Sequence, residues 1–150
     1  MRRTVTVTIP GVKSDKPGER DNGKVFEITE MPSFQAERWC AKAKALGAQA
    51  YSIPVPSGDS GEAAALANMG IDPAKMGLAL TDPSLDEIWQ YVKYRHKPGN
   101  PPLDITFDEN SMIEEIDTIM FLRMEALKVQ LGFSGGVNRP SSESSPNTTG

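Results

Sequence analysis

The 150-residue chain carries 16 Lys and Arg against 20 Asp and Glu, a formal net charge of −4, and 38% hydrophobic residues, enough for one domain to bury a core without disulfides or metal. Its single cysteine, Cys40, and single histidine, His96, exclude a disulfide framework, a Cys/His metal cluster and a His-centred triad, and suit a reducing cytoplasm. No apolar run reaches the roughly 20 residues that span a bilayer, "MRRTVTVTIPG" alternates where a signal peptide would be continuously apolar, and the basic excess of the first third is too scattered for a nucleic-acid footprint.

"RTVTVTI" (Arg3 to Ile9) alternates with period two, setting Val5, Val7 and Ile9 on one face of a strand. A polar segment with two turn formers, Lys16-Pro17-Gly18 and Asn22-Gly23, leads to a second strand, "KVFEITE" (Lys24 to Glu30). The hairpin over 3–30 needs a helical partner, because two strands alone are marginal. Pro32 then opens a helix, "SFQAERWCAKAKALG", with Gly47 as its expected C-cap. Ala36, Trp39, Cys40, Ala43 and Leu46 share one face; Gln35, Arg38 and Lys42 lie on another.

The prolines of "AQAYSIPVPSG" impose an extended loop. Asp59 and Glu62 resemble a capping box for a short Ala-rich helix ending at Gly70. Asp72-Pro73 and Asp82-Pro83 each start a helix, the second running through "SLDEIWQYVKYRH" until "KPGNPP" breaks it. "LDITF" reads as a short strand or an extended arm. The residues beyond Gly132, rich in Ser, Pro, Asn and Gly, cannot offset their ordering entropy and are expected to be disordered. The reading is therefore mainly α with an α+β arrangement: a single domain over 1–132, with hairpin 3–30 and helices 32–131, and a disordered tail over 133–150.

"SMIEEIDTIMFLRMEALKVQLGF" (Ser111 to Phe133) carries more apolar residues than one buried face needs. Ile113, Ile116, Met120, Met124, Leu127 and Leu131 make a core seam at spacings of three and four. Ile119, Leu122, Ala126 and Val129 make a second stripe on roughly the opposite side at ~100° per residue. Glu114, Asp117, Thr118, Glu125 and Lys128 fill the sector left for water. Either the chain's own helices cover both stripes, or the second stripe meets another subunit or a client protein. Trp39 flanked by Arg38 reads as core or as an interface anchor, since both residue types are enriched at hot spots. The candidate partner-binding residues are Ile119, Leu122, Ala126, Val129, Arg38 and Trp39.

No catalytic or metal-binding constellation stands out, and no cofactor is expected. Glu114/Glu115, Asp86/Glu87 and Asp108/Glu109 are adjacent acids that diverge instead of converging on one reacting centre. "SGDSGE" and "FSGGV" lack the glycine order of a phosphate cradle. Cys40 has Arg38 and Lys42 nearby but no base to activate it.

The blocks "FEITEMPSFQAERW" (Phe26 to Trp39) and "IEEIDTIMFLRMEALKVQLGF", in the order hairpin, helix, variable middle, last helix, resemble the tail assembly chaperones of long-tailed bacteriophages. That resemblance covers about a third of the chain. The chain departs from the family picture after Trp39, where it is rich in Lys and Ala instead of aliphatic residues. The resemblance implies a non-enzymatic protein of the infected host's cytoplasm that binds the tape measure protein, recruits tail tube subunits, self-associates and is absent from the mature virion. It also implies a longer frameshifted form in many members. Met112, Met120 and Met124 suit an adaptable apolar surface. The alternative is a structural virion protein, a tail tube or head–tail joining subunit, whose hairpin would pair strands between subunits.

Overall fold

The computed structural model describes residues 2–51, 60–107 and 111–132. It is an α+β fold built on an antiparallel sheet of four strands, β1 (Thr4–Thr8), β2 (Val25–Thr29), β3 (Val92–Arg95) and β4 (Leu103–Asp104), in the order 1-2-3-4. Alternation decides which face is buried. Val5 pairs with Ile28 and Ile28 with Val92, while Val7 pairs with Phe26 and Phe26 with Tyr94. Residues opposite one another point to the same side, so these rows form one apolar face. The other face carries Thr4, Thr6, Thr8, Glu27 and Lys93.

Among the described residues four α-helices and a 3-10 helix (Pro83–Tyr91) accompany the sheet: α1 (Ser33–Gln49), α2 (Ser60–Asn68), α3 (Pro73–Ala79) and α4 (Ile116–Gln130). Asp72 and Asp82 cap α3 and the 3-10 helix, their carboxylates accepting from the amides of Ala74 at 3.0 Å and Ser84 at 2.9 Å. Helices α1, α3 and α4 pack on one another, and α4 also meets β2. Phe26, Ile28, Met76, Leu85, Leu122 and Leu127 stand in one core shared by sheet and helices.

Three elements differ from the expectation. The helix foreseen from Ser84 to His96 ends at Tyr91, and the chain turns into β3. Val92 and Tyr94 there cover Ile28 and Phe26, and β2 gains a second partner in place of a bare edge. Helix α1 runs past Gly47 to Gln49, with Ala50 as its C-cap. Gly47 instead serves close approach: a Cβ there would stand 2.8 Å from the Met76 Cε of α3.

The last helix starts at Ile116, five residues after Ser111. The preceding residues are spent on the β1–β2 loop. The Asp21 carboxylate, 1% exposed, accepts from the amides of Glu114 at 2.9 Å and Glu115 at 2.8 Å. Lys24 Nζ donates to Asp21 at 2.7 Å and to the Met112 carbonyl at 2.7 Å. Arg20 pairs with Glu115 at 2.5 Å. A loop distant in sequence therefore anchors the residues that lead into α4, whose N-cap residue, Glu115, makes no side-chain capping bond. The disordered tail expected over 133–150 and the Asp59 cap lie outside the described residues.

Candidate protein-binding site

Helix α1 is held on one flank by the 3-10 helix. Gln35 Nε2 donates to Glu87 at 2.8 Å, the Trp39 indole N–H to the Leu85 carbonyl at 3.0 Å, and Lys42 Nζ to the Ser84 carbonyl at 3.3 Å. Its inner face, Trp39, Cys40, Ala43 and Gly47, is buried. The other flank opens onto a groove of about 560 Å³ between α1 and the end of α4. Met31, Ala36, Cys40 and Leu131 supply apolar lining, and Glu30, Glu37, Lys44 and Gln130 supply polar groups. Gln130 is fixed in place: its Oε1 accepts from the Met31 amide at 2.8 Å and its Nε2 donates to the Thr29 carbonyl at 3.2 Å.

The second stripe is not where such a site could lie. Leu122, Ala126 and Val129 are 0% exposed, and Ile119 is partly buried against the same core. The reading that the chain covers both stripes itself is the one this geometry supports. Position along α4 matters more than azimuth: every residue from Met124 to Val129 is buried, whereas Ile116 of the supposed core seam is 76% exposed. Glu125 and Lys128, expected in the solvent sector, are buried and paired with each other. Thr118 of that sector is buried as well.

Trp39 is 2% exposed with its N–H engaged, which makes it a core residue and corrects its reading as an interface anchor. Arg38 is exposed on the outer face of α1. The structure thus separates the two neighbours that the hot-spot argument joined. Phe34 was missed. It is 77% exposed, and at ~100° per residue it falls diametrically opposite Ala43, a signal already present in the helical wheel. Of the three methionines, Met124 is buried and Met112 packs partly buried against the core.

No family model, curated protein or solved structure matches the chain.

What the groove can do chemically follows from its side chains. Burial pushes the Cys40 thiol up to about 11, with Lys44 opposing only weakly, so Cys40 is a neutral apolar lining group at physiological pH and not a thiolate nucleophile. The carboxylates weighed for catalysis are dispersed: Glu114 pairs with Lys24 and Glu115 with Arg20, while Glu87 is bonded to Gln35. Asp108 and Glu109 lie outside the described residues. Among the described residues no group of three or more His, Cys, Asp or Glu stands together as a metal site, and no helix is long and apolar enough to cross a membrane. An open, mixed groove of this size has room for a few side chains.

Proposed function

We propose that this chain is a non-enzymatic tail assembly chaperone of a long-tailed bacteriophage, holding apolar helical segments of the tape measure protein and bringing tail tube subunits to them. It acts in the host cytoplasm and is left out of the mature virion. The observation that carries this reading is the groove between α1 and the end of α4, lined by Met31, Ala36, Cys40 and Leu131 beside polar groups of both signs. A chaperone needs reversible apolar contact, and methionine with small residues adapts to varied side chains. The sequence resemblance supplies the identity of the client.

Co-expression with the tape measure protein tests it. The client is expected to stay soluble and to co-purify with the chain. Ser33→Trp, which fills the groove from an exposed lining position, is expected to lower capture at least tenfold with unchanged circular dichroism. A client that remains insoluble beside folded wild-type chain overturns the proposal. The edge position of β1 favours a second reading, a structural subunit that pairs strands between copies. Mass spectrometry of purified particles separates the two: abundance in the virion replaces the chaperone with the structural subunit.

A further inference from the structure

The outer face of α1 is arranged to meet a copy of itself. Phe34, Arg38, Ala41, Ala45 and Ala48 are all exposed and follow one another at spacings of four, three, four and three, the spacing of a helix–helix seam. Phe34 is 77% exposed, although phenylalanine is among the residue types most often fully buried. Glu37 and Lys44 border the seam on the groove side, and no ion pair engages either of them among the described residues. On the opposite border Lys42 is turned inward to the Ser84 carbonyl and Gln35 to Glu87. Only the groove-side border therefore offers charges to another molecule.

We propose that two copies of this chain associate through this face as an antiparallel, two-fold helix pair. In one register four of the five seam residues and both border charges are answered. Phe34 of one copy lies against Ala45 of the other, a large side chain over a small one, and Arg38 lies against Ala41. Glu37 faces Lys44 and, by the two-fold, Lys44 faces Glu37, the isologous arrangement of a homodimer. A parallel pair would set the groove-side border of one copy against the opposite border of the other, where Gln35 and Lys42 are turned inward, so only the antiparallel form lets Glu37 and Lys44 answer each other. Ala41 and Ala45 let the helices approach closely. The charge complementarity and the exposed phenylalanine argue for a second copy instead of an unrelated partner, because each half of the pattern is complementary to the other half.

Because Glu37 and Lys44 also border the groove, pairing along that border places both grooves on the same side of the dimer. On the chaperone reading, which this consequence requires and the pairing does not, one long helical client would be held at two points at once.

Sedimentation velocity over a concentration series at low salt tests the pairing without any client. The wild-type chain is expected to move from monomer to dimer mass. Glu37→Lys and Lys44→Glu, both at exposed positions, are each expected to remain monomeric, since each sets like charges opposite one another. An equimolar mixture of the two variants is expected to dimerise again, because lysines of one copy then meet glutamates of the other. Phe34→Glu is an independent variant expected to stay monomeric. A wild-type chain that is monomeric throughout, single variants that dimerise as the wild type does, or a mixture that stays monomeric would each overturn the pairing. The readout is separate from client capture, so a dimer that captures nothing refutes the chaperone and leaves the pairing standing.

Discussion

A leucine with no exposed surface has nothing to offer a partner, and Leu122 is such a residue, with Ala126 and Val129 one and two turns further along α4. Their burial in the core shared by sheet and helices makes them stability positions. Truncation of Leu122 to Ala removes buried methyl groups and leaves a cavity, at a cost of about 3 kcal/mol. Urea unfolding followed by circular dichroism is expected to show that loss as a lower midpoint with an unchanged slope. A double change of Leu122 and Val129 to Asp is expected to unfold the chain outright, since it buries two unpaired charges. Arg38 and Trp39 teach the same lesson in one peptide: about 100° of helical rotation separates an exposed guanidinium from an indole held by Leu85.

Among the elements, α1 is the most informative, because each of its sides does something different. One flank is bonded to the 3-10 helix, the inner face is core, the other flank walls the groove and the outer face is bare. Its approach to α3 rests on Gly47, where an added Cβ would meet the flexible end of Met76 at 2.8 Å. Gly47→Ala is expected to change stability by less than about 1 kcal/mol, because the methionine methyl swings away and alanine favours the helix. Gly47→Leu forces the helices apart and is expected to cost about 2 kcal/mol. Thermal unfolding of the two variants distinguishes the cases. The segment from Pro83 to Arg95 shows why local pattern misled: Leu85, Ile88, Trp89 and Val92 have helical spacing, yet Val92 belongs to a strand because Ile28 stands opposite it. Tertiary pairing overrides propensity when a sheet edge would otherwise be left open.

Across the whole molecule, the β1–β2 loop and the start of α4 are joined by Asp21. Burial alone would raise its carboxyl, but Lys24, the Thr118 hydroxyl and the amides of Glu115 and Glu114 together hold it below its ordinary 3.8. A carboxyl lowered in the folded state stabilises the fold fully above the unfolded value, and that contribution fades as pH falls through the folded one. The wild-type chain is therefore expected to lose stability as pH drops below 3.8, and Asp21→Asn to show a shallower loss over that range. At neutral pH the same variant is expected to be less stable by roughly 3 kcal/mol, since Lys24 loses its buried partner. Denaturant midpoints from neutral pH down to about pH 2 check both expectations; equal pH dependence in the two proteins would remove Asp21 from this role.

Strand alternation in Val5, Val7 and Ile9, the Asp72-Pro73 and Asp82-Pro83 starts of α3 and the 3-10 helix, and the identity of the inner face of α1 were all readable from local pattern, because each depends on residues within a turn or a strand of one another. The fate of the apolar surplus in the last helix was not. Whether Leu122 and Val129 meet a partner or the chain itself depends on how much surface α1, α3 and the sheet bring to α4, and no periodicity within α4 encodes that. The Asp21 anchor was equally hidden, since it joins residues more than ninety positions apart. The exposed seam of α1 lies between these cases: its spacing is local, but its availability to another molecule emerged only once the groove and the 3-10 helix had taken up the two flanks.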